Sequence, residues 1–312
     1  MSLSPALLAS RERQASRRKG LLRYNIDVIP LLWVQATLLL SLVPFLVELP
    51  LWGQVLLAIP VFFLRSSCPY LQHNQGHLPA FWRRWPNHVY DLQLALMTGY
   101  VTSLWELQHA RGHHRHYLTP ALDPASIIDP RTGKPMPRWR YCVVGNLTII
   151  RDAIRIARQE RALGRGNHLP KLVTHLVVAT VLCGALAMVN PWAFFWFILV
   201  PDVIAGYTVW MVSYDHHLDV KSTSHYDGSH TILGRAFNRF TFNIGHHAAH
   251  HEKPTLHWSL LPRRTAHILH LLDPASVKGT LEPEVAHLVT SEKVASGGAP
   301  SALSGDAEPL AA

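Results

Sequence analysis

His246-His247-Ala248-Ala249-His250-His251 puts four imidazoles into six residues. Two other stretches are similar: His73-Asn74-Gln75-Gly76-His77 and His109-Ala110-Arg111-Gly112-His113-His114. Neutral imidazole is the commonest metal ligand in proteins. On an α-helix, residues four apart share a face, and the next residue is turned by about 100°. His73 with His77, and His109 with His113, are therefore each expected to share an ion, with His114 turned toward a second one. His247 and His251 have the same spacing, with His250 beside them. Eight imidazoles (His73, His77, His109, His113, His114, His247, His250 and His251) exceed the four ligands that one zinc takes. They suit two ions with coordination positions left open. An all-imidazole set in a redox-capable protein points to iron ahead of copper, zinc or manganese.

Long apolar runs lie beside these stretches. Ile29 to Val47 has no charge until Glu48, and Leu49-Pro50 turns the chain into Leu51 to Leu64, a short run whose Arg65 is expected to snorkel. Leu172 to Val189 is interrupted only by His175, and after Asn190-Pro191 a fourth run extends from Trp192 to Val212. Asp202 in that run is an intramembrane acid, expected to face a cavity or a partner. Tyr90 to Trp105 is apolar but short and broken by Asp91 and Gln93, so a membrane-surface or partly inserted helix is expected there.

The 312 residues are 48% hydrophobic and only 16% charged, against about 25% charged in ordinary soluble domains. The net charge of +9 comes from Lys and Arg clustered between the apolar runs, which speaks for membrane topology and lipid contact and against nucleic-acid binding. The positive-inside rule keeps the basic start, the segment from Arg65 to Lys171 and everything after Val212 in the cytoplasm. The expected fold is all-α: four transmembrane helices as two hairpins, with a cytosolic helical cap carrying all three histidine stretches. Residues 1–24, with Arg11, Arg13, Arg17, Arg18, Lys19 and Arg23, read as a basic cytosolic tail rather than a signal peptide. Residues 25–290 form the membrane domain, and residues 291–312, rich in Ala, Ser, Gly and Pro, read as a disordered tail. The expected protein is multi-pass, with both termini cytoplasmic, in the inner membrane if bacterial. Cys68, Cys142 and Cys183 form no CxxC pair, which argues against a disulfide framework or a cysteine metal site.

In order and spacing these motifs resemble the membrane fatty acid desaturase/hydroxylase superfamily, over roughly His73 to Pro262. His73-Asn-Gln-Gly-His77 resembles the first histidine box of that superfamily. His109-Ala-Arg-Gly-His113-His114 resembles the second, with Gly112 placed as in alkane hydroxylases. The stretch Phe242-Asn243-Ile244-Gly245-His246-His247-Ala248-Ala249-His250-His251-Glu252-Lys253-Pro254, followed by His257-Trp258-Ser259-Leu260-Leu261-Pro262, resembles the third. Gln108 departs from the glutamate of alkane hydroxylases, and His246 from a more usual aromatic. The resemblance implies a ninth ligand after the last span: His216, with His217 its rival. It also implies two Fe ions, O2 as co-substrate and attack on an unactivated C–H bond of a fatty acyl chain in the bilayer. The outcome would be desaturation, or alternatively hydroxylation or decarboxylation to a terminal alkene.

The sequence has no flavin or nicotinamide fingerprint, so electrons are expected from a separate ferredoxin, rubredoxin or similar donor with its reductase, drawn to the basic surface. A metal transporter is the competing reading, but only His175 and Asp202 lie within the apolar runs, where a transporter would need its ligands. Asp215, Asp219, Asp227 and Glu106 are the acids expected to orient ligand imidazoles. His116, His225 and His230 are expected at the surface, with support of the ligand imidazoles from behind as their other reading. Trp82, Trp85 and Trp105 are expected in an interfacial aromatic belt, with lining of an acyl tunnel as their other role.

Overall fold

A computed structural model of the protein describes residues 20–281. The expected tail 291–312 and most of the expected tail 1–24 lie outside these residues. The end of the latter is docked: Leu22 bridges to Phe81, and Arg23 N donates to Ala80 O at 2.8 Å.

Helix α1 (Val28–Leu46) ends where Val47 turns extended ahead of Leu49-Pro50, and α2 (Leu51–Arg65) begins directly after that proline. Helix α3 (Cys68–His77) follows a two-residue break and carries the first box. Helix α4 (Arg84–Thr98) stops at Gly99, whose φ of 72° favours a residue without Cβ. Helix α5 covers 102–116: an α-turn Thr102–Trp105, a π-helical stretch Glu106–His113 and a last turn His114–His116. Then come α6 (Arg138–Ala162), α7 (Leu169–Val189) and α8 (Pro191–His217). The Asn190 side chain caps the start of α8 by accepting from Ala193 N at 3.0 Å. Short helices α9 (Arg235–Phe240), α10 (His247–Glu252) and α11 (Leu261–Ile268) follow. The fold is mostly helical. Among the described residues the one small sheet, which the all-α expectation omitted, is a parallel pair of β1 (Thr231–Ile232) and β2 (Val277–Lys278).

Four helical segments are long and apolar enough to cross a membrane: Asn25–Leu46, Leu51–His77, Leu169–Val189 and Pro191–His217. Their outward residues are bare, with Leu39 67%, Ile59 65%, Val181 65% and Val203 63% exposed. A rim of this kind along every long apolar helix needs lipid to cover it. The second and fourth segments run past the ends of their apolar stretches. Their polar continuations stay helical because protein buries them, and each continuation delivers histidines.

Arg65 does not snorkel. It is 1% exposed, donates from Nη1 to Phe197 O (2.7 Å) and from Nη2 to Leu96 O (2.8 Å), and pairs with Asp202. Asp202 thus has the partner that its position demanded. The expected Tyr90–Trp105 helix is two helices split at Gly99. Its first part is packed among the others: Tyr90, Asp91, Leu94 and Met97 are buried, and Gln93 exchanges side-chain hydrogen bonds with Gln35 of α1. Paired amides explain how the polar positions that broke the pattern are tolerated inside.

Helices α5 and α6 are tied by Glu160, 1% exposed, which pairs with Arg111 (3.3 Å) and Arg115 (2.5 Å) of α5. Helix α6 meets α8 at Gly145, where a Cβ would fall 2.4 Å from a Trp210 ring carbon. Gly145→Ala is therefore expected to lose about 1–3 kcal/mol through overpacking, measurable as a lower unfolding temperature in detergent.

Candidate metal centre

The box side chains arrive from four helices. Helix α3 supplies His73 and His77, α5 supplies His109, His113 and His114, α8 supplies His216 and His217, and α10 supplies His247, His250 and His251. His73, His77, His109, His114 and His250 form one group, with ligand nitrogens all within 4.8 Å of one another. His113, His217 and His251 form a second. His247 joins it, its Nε2 lying 3.1 Å from that of His251 and 3.4 Å from that of His217. His114 stands at the junction: its Nε2 is 3.0 Å from His109 Nε2 and 2.9 Å from His250 Nε2, while its ring stacks on His251 at 4.4 Å.

One pairing differs from the expectation. His109 and His113, four apart, fall into different groups, whereas His109 and His114, five apart, share one. The π-helical stretch is the reason: i→i+5 bonding widens the turn and puts residues five apart on one face. His73 and His77 share a group as their spacing predicts.

His217, the rival candidate after the last span, belongs to the second group. His216 lies beside it, stacked on His247 at 4.1 Å, with its buried Nε2 free of any hydrogen bond. The outer nitrogens explain which ring atoms are free. His216 Nδ1 donates to His230 O at 2.8 Å and His217 Nδ1 to Gly228 O at 3.0 Å. His113 Nδ1 donates to the Asp123 carboxylate at 3.0 Å. Each such bond places the proton on Nδ1 and leaves Nε2 as a lone-pair donor facing inward. The buried Nε2 atoms of His77 and His113 likewise have no hydrogen-bond partner.

Burial keeps five of the box rings uncharged. Desolvation, reinforced by neighbouring imidazoles, holds His109, His114, His247, His250 and His251 well below the ordinary histidine range. The buried Nε2 atoms of His77, His113 and His216 have no hydrogen-bond partner, which is costly unless something accepts their lone pairs, so the donor set fits a metal centre.

Asp123 was not foreseen: no local pattern marks an acid ten residues past a ligand and brought back by a loop. Asp123→Ala is expected to weaken metal retention about 10–100-fold, read as metal content after chelator challenge. The four acids expected in this role are engaged elsewhere or turn the chain. Glu106 pairs with Lys171 (2.8 Å) and Asp215 with Arg138 (2.5 Å), Asp227 accepts from Ser224 N (2.6 Å), and Asp219 sits at φ 56°. His230 is buried rather than at the surface, with Nε2 2.8 Å from Leu218 O. His225 is exposed as expected and meets the Tyr117 hydroxyl at 2.6 Å, and His116 is half-buried. His246 is buried against Thr265 Oγ1 at 3.0 Å, and desolvation lowers its pKa to about 4. Trp82 and Trp85 are exposed, as a belt requires, but Trp105 is buried and stacked on His109 at 4.8 Å.

The family model for fatty acid desaturases matches residues 48–278, which takes in all three boxes and the last three apolar segments. The chain belongs to the fatty acid desaturase family. As a desaturase-family protein it is an oxidoreductase of fatty acyl groups and a membrane protein, from a family that uses iron. No curated protein matches this desaturase sequence.

Proposed function

We propose that the protein is an O2-dependent di-iron enzyme that removes hydrogen from unactivated C–H bonds of a fatty acyl chain, leaving a double bond. The observation that carries this reading is the convergence of box nitrogens into two adjoining groups at the ends of two membrane-length helices. Five imidazoles, His73, His77, His109, His114 and His250, would hold one iron. His113, His216, His217, His247 and His251 would hold the other. Bound iron supplies the one-electron chemistry and the dioxygen site that side chains lack.

The chain's own residues do the rest. Asp123 and the carbonyls of His230 and Gly228 hold Nδ1 protons and so orient three rings. Trp105 covers His109 and, with the buried boxes, keeps water from the reacting carbon. In this reading the four long helices are two membrane hairpins. The Asn190 side chain bonds Pro44 O at 3.2 Å and Trp192 Nε1 bonds Gln54 Oε1 at 2.9 Å, which sets their turns side by side. The boxes and both termini then lie on the cytoplasmic face, where a separate ferredoxin or rubredoxin system delivers electrons. Ligands gathered at one end of the helices, rather than along them, fit an enzyme better than a transporter.

The test is expression in a heterologous host beside a His250→Ala control, with mass spectrometry of lipids and hydrocarbons. Loss of two hydrogens from an acyl chain, absent in the control, is the expected result. A gained oxygen would make the enzyme a hydroxylase, and a lost carbon a decarboxylase. Identical lipids in both strains would overturn the proposal.

A further inference from the structure

Away from the boxes, His88, Asp91 and His175 bring three ligand atoms within 4.8 Å of one another. His88 and Asp91 are i, i+3 on α4 and so share a face; His175 reaches them from α7. His88 Nδ1 and His175 Nε2 lie 3.1 Å apart. The box imidazoles provide an internal yardstick, since their neighbouring nitrogens are separated by 2.9 to 3.4 Å.

Asp91 and His175 are each 5% exposed, while His88 is exposed. The Asp91 carboxylate accepts a hydrogen bond from the neutral Gln75 amide at 3.0 Å and has no Lys or Arg ion pair among the described residues. Lys171, one turn before His175, is engaged by Glu106 at 2.8 Å. A hydrogen bond between the two imidazoles would leave Asp91 a buried carboxylate opposed only by the more distant charge of Lys171, which is costly. A dication among the three groups supplies that charge and satisfies the imidazoles together.

We propose that His88, Asp91 and His175 form a further metal site, separate from the boxes, that takes a divalent transition cation on two imidazoles and one carboxylate. Water completes the tetrahedral shell that such a donor set gives zinc. The exposed His88 provides the entry side. The bound ion joins α4 to α7 and, through Gln75, steadies the helix that carries His73 and His77 from its opposite face.

The test uses full-length protein in detergent, stripped with chelator, equilibrated with Zn2+ and freed of loose metal. Wild type is expected to retain about one zinc ion more per chain than His88→Ala. His88 is exposed, so the variant should fold, which equal unfolding temperatures of the metal-free proteins would verify. Asp91→Asn is expected to weaken the extra zinc at least about tenfold. His114→Ala, which disturbs the boxes, should keep it, so the extra site is scored independently of the box centre. Equal zinc content in wild type and His88→Ala would overturn the proposal.

Discussion

His114→Ala is expected to lower activity by more than about 100-fold and to reduce the iron content of the purified protein, whereas His116→Ala should leave both near wild type. The two positions are two residues apart on one helix, so the comparison separates ligation from general damage to α5. His114 is the junction of the centre, with its Nε2 within 3.0 Å of two nitrogens of the first group and its ring stacked on His251 of the second. Its loss removes a donor from one group and a packing surface from the other. Iron content and product yield, measured on the same preparations, decide the matter. Normal iron in an inactive His114→Ala protein would point away from ligation, and normal values of both would remove His114 from the centre.

Asp202→Ala is expected to cost about 3–5 kcal/mol, because it leaves the Arg65 guanidinium charged and enclosed. That is a large part of the ~5–15 kcal/mol that typical proteins have in total, so little folded protein should reach the membrane. The carbonyls that hold Arg65, from Phe197, Leu96 and Ile198, cannot neutralise it. Arg65→Met with Asp202→Leu removes both charges and should recover much of the loss, since a buried pair replaced by apolar residues of similar volume is often neutral or better. Yield of monodisperse protein and unfolding temperature read both variants. An Asp202→Ala protein as stable as its parent would show that the pair carries no such weight.

The boxes and the four apolar runs were legible because both are local patterns: a four-residue spacing fixes a helix face, and a run of some twenty apolar residues fixes a span. What escaped depends on packing between distant segments. Nothing in Glu106 to His113 announces a π-helix, so α-helical spacing puts the partner of His109 one residue short. Arg65 looked like a snorkelling side chain because its acid lies 137 residues away in sequence. Asp123 returns to His113 through a loop, and loop geometry leaves no periodicity to read. The acids next to His217 were the natural guesses for that role, yet a backbone carbonyl, Gly228 O, does the work there.

The carboxylate of Asp27, just ahead of α1, receives the Nε2 of His257 and the indole N–H of Trp258, each at 2.9 Å. The entry to α1 is thereby fastened to the stretch that follows the third histidine box, 230 residues later. This closure has a consequence for biogenesis. During synthesis the early helices emerge without the clamp that holds the final box against them, and the ring closes only after residues 257 and 258 have left the ribosome. In the proposed reading iron would then be loaded only after this closure, and a chain cut short before residue 257 would lack the clamp.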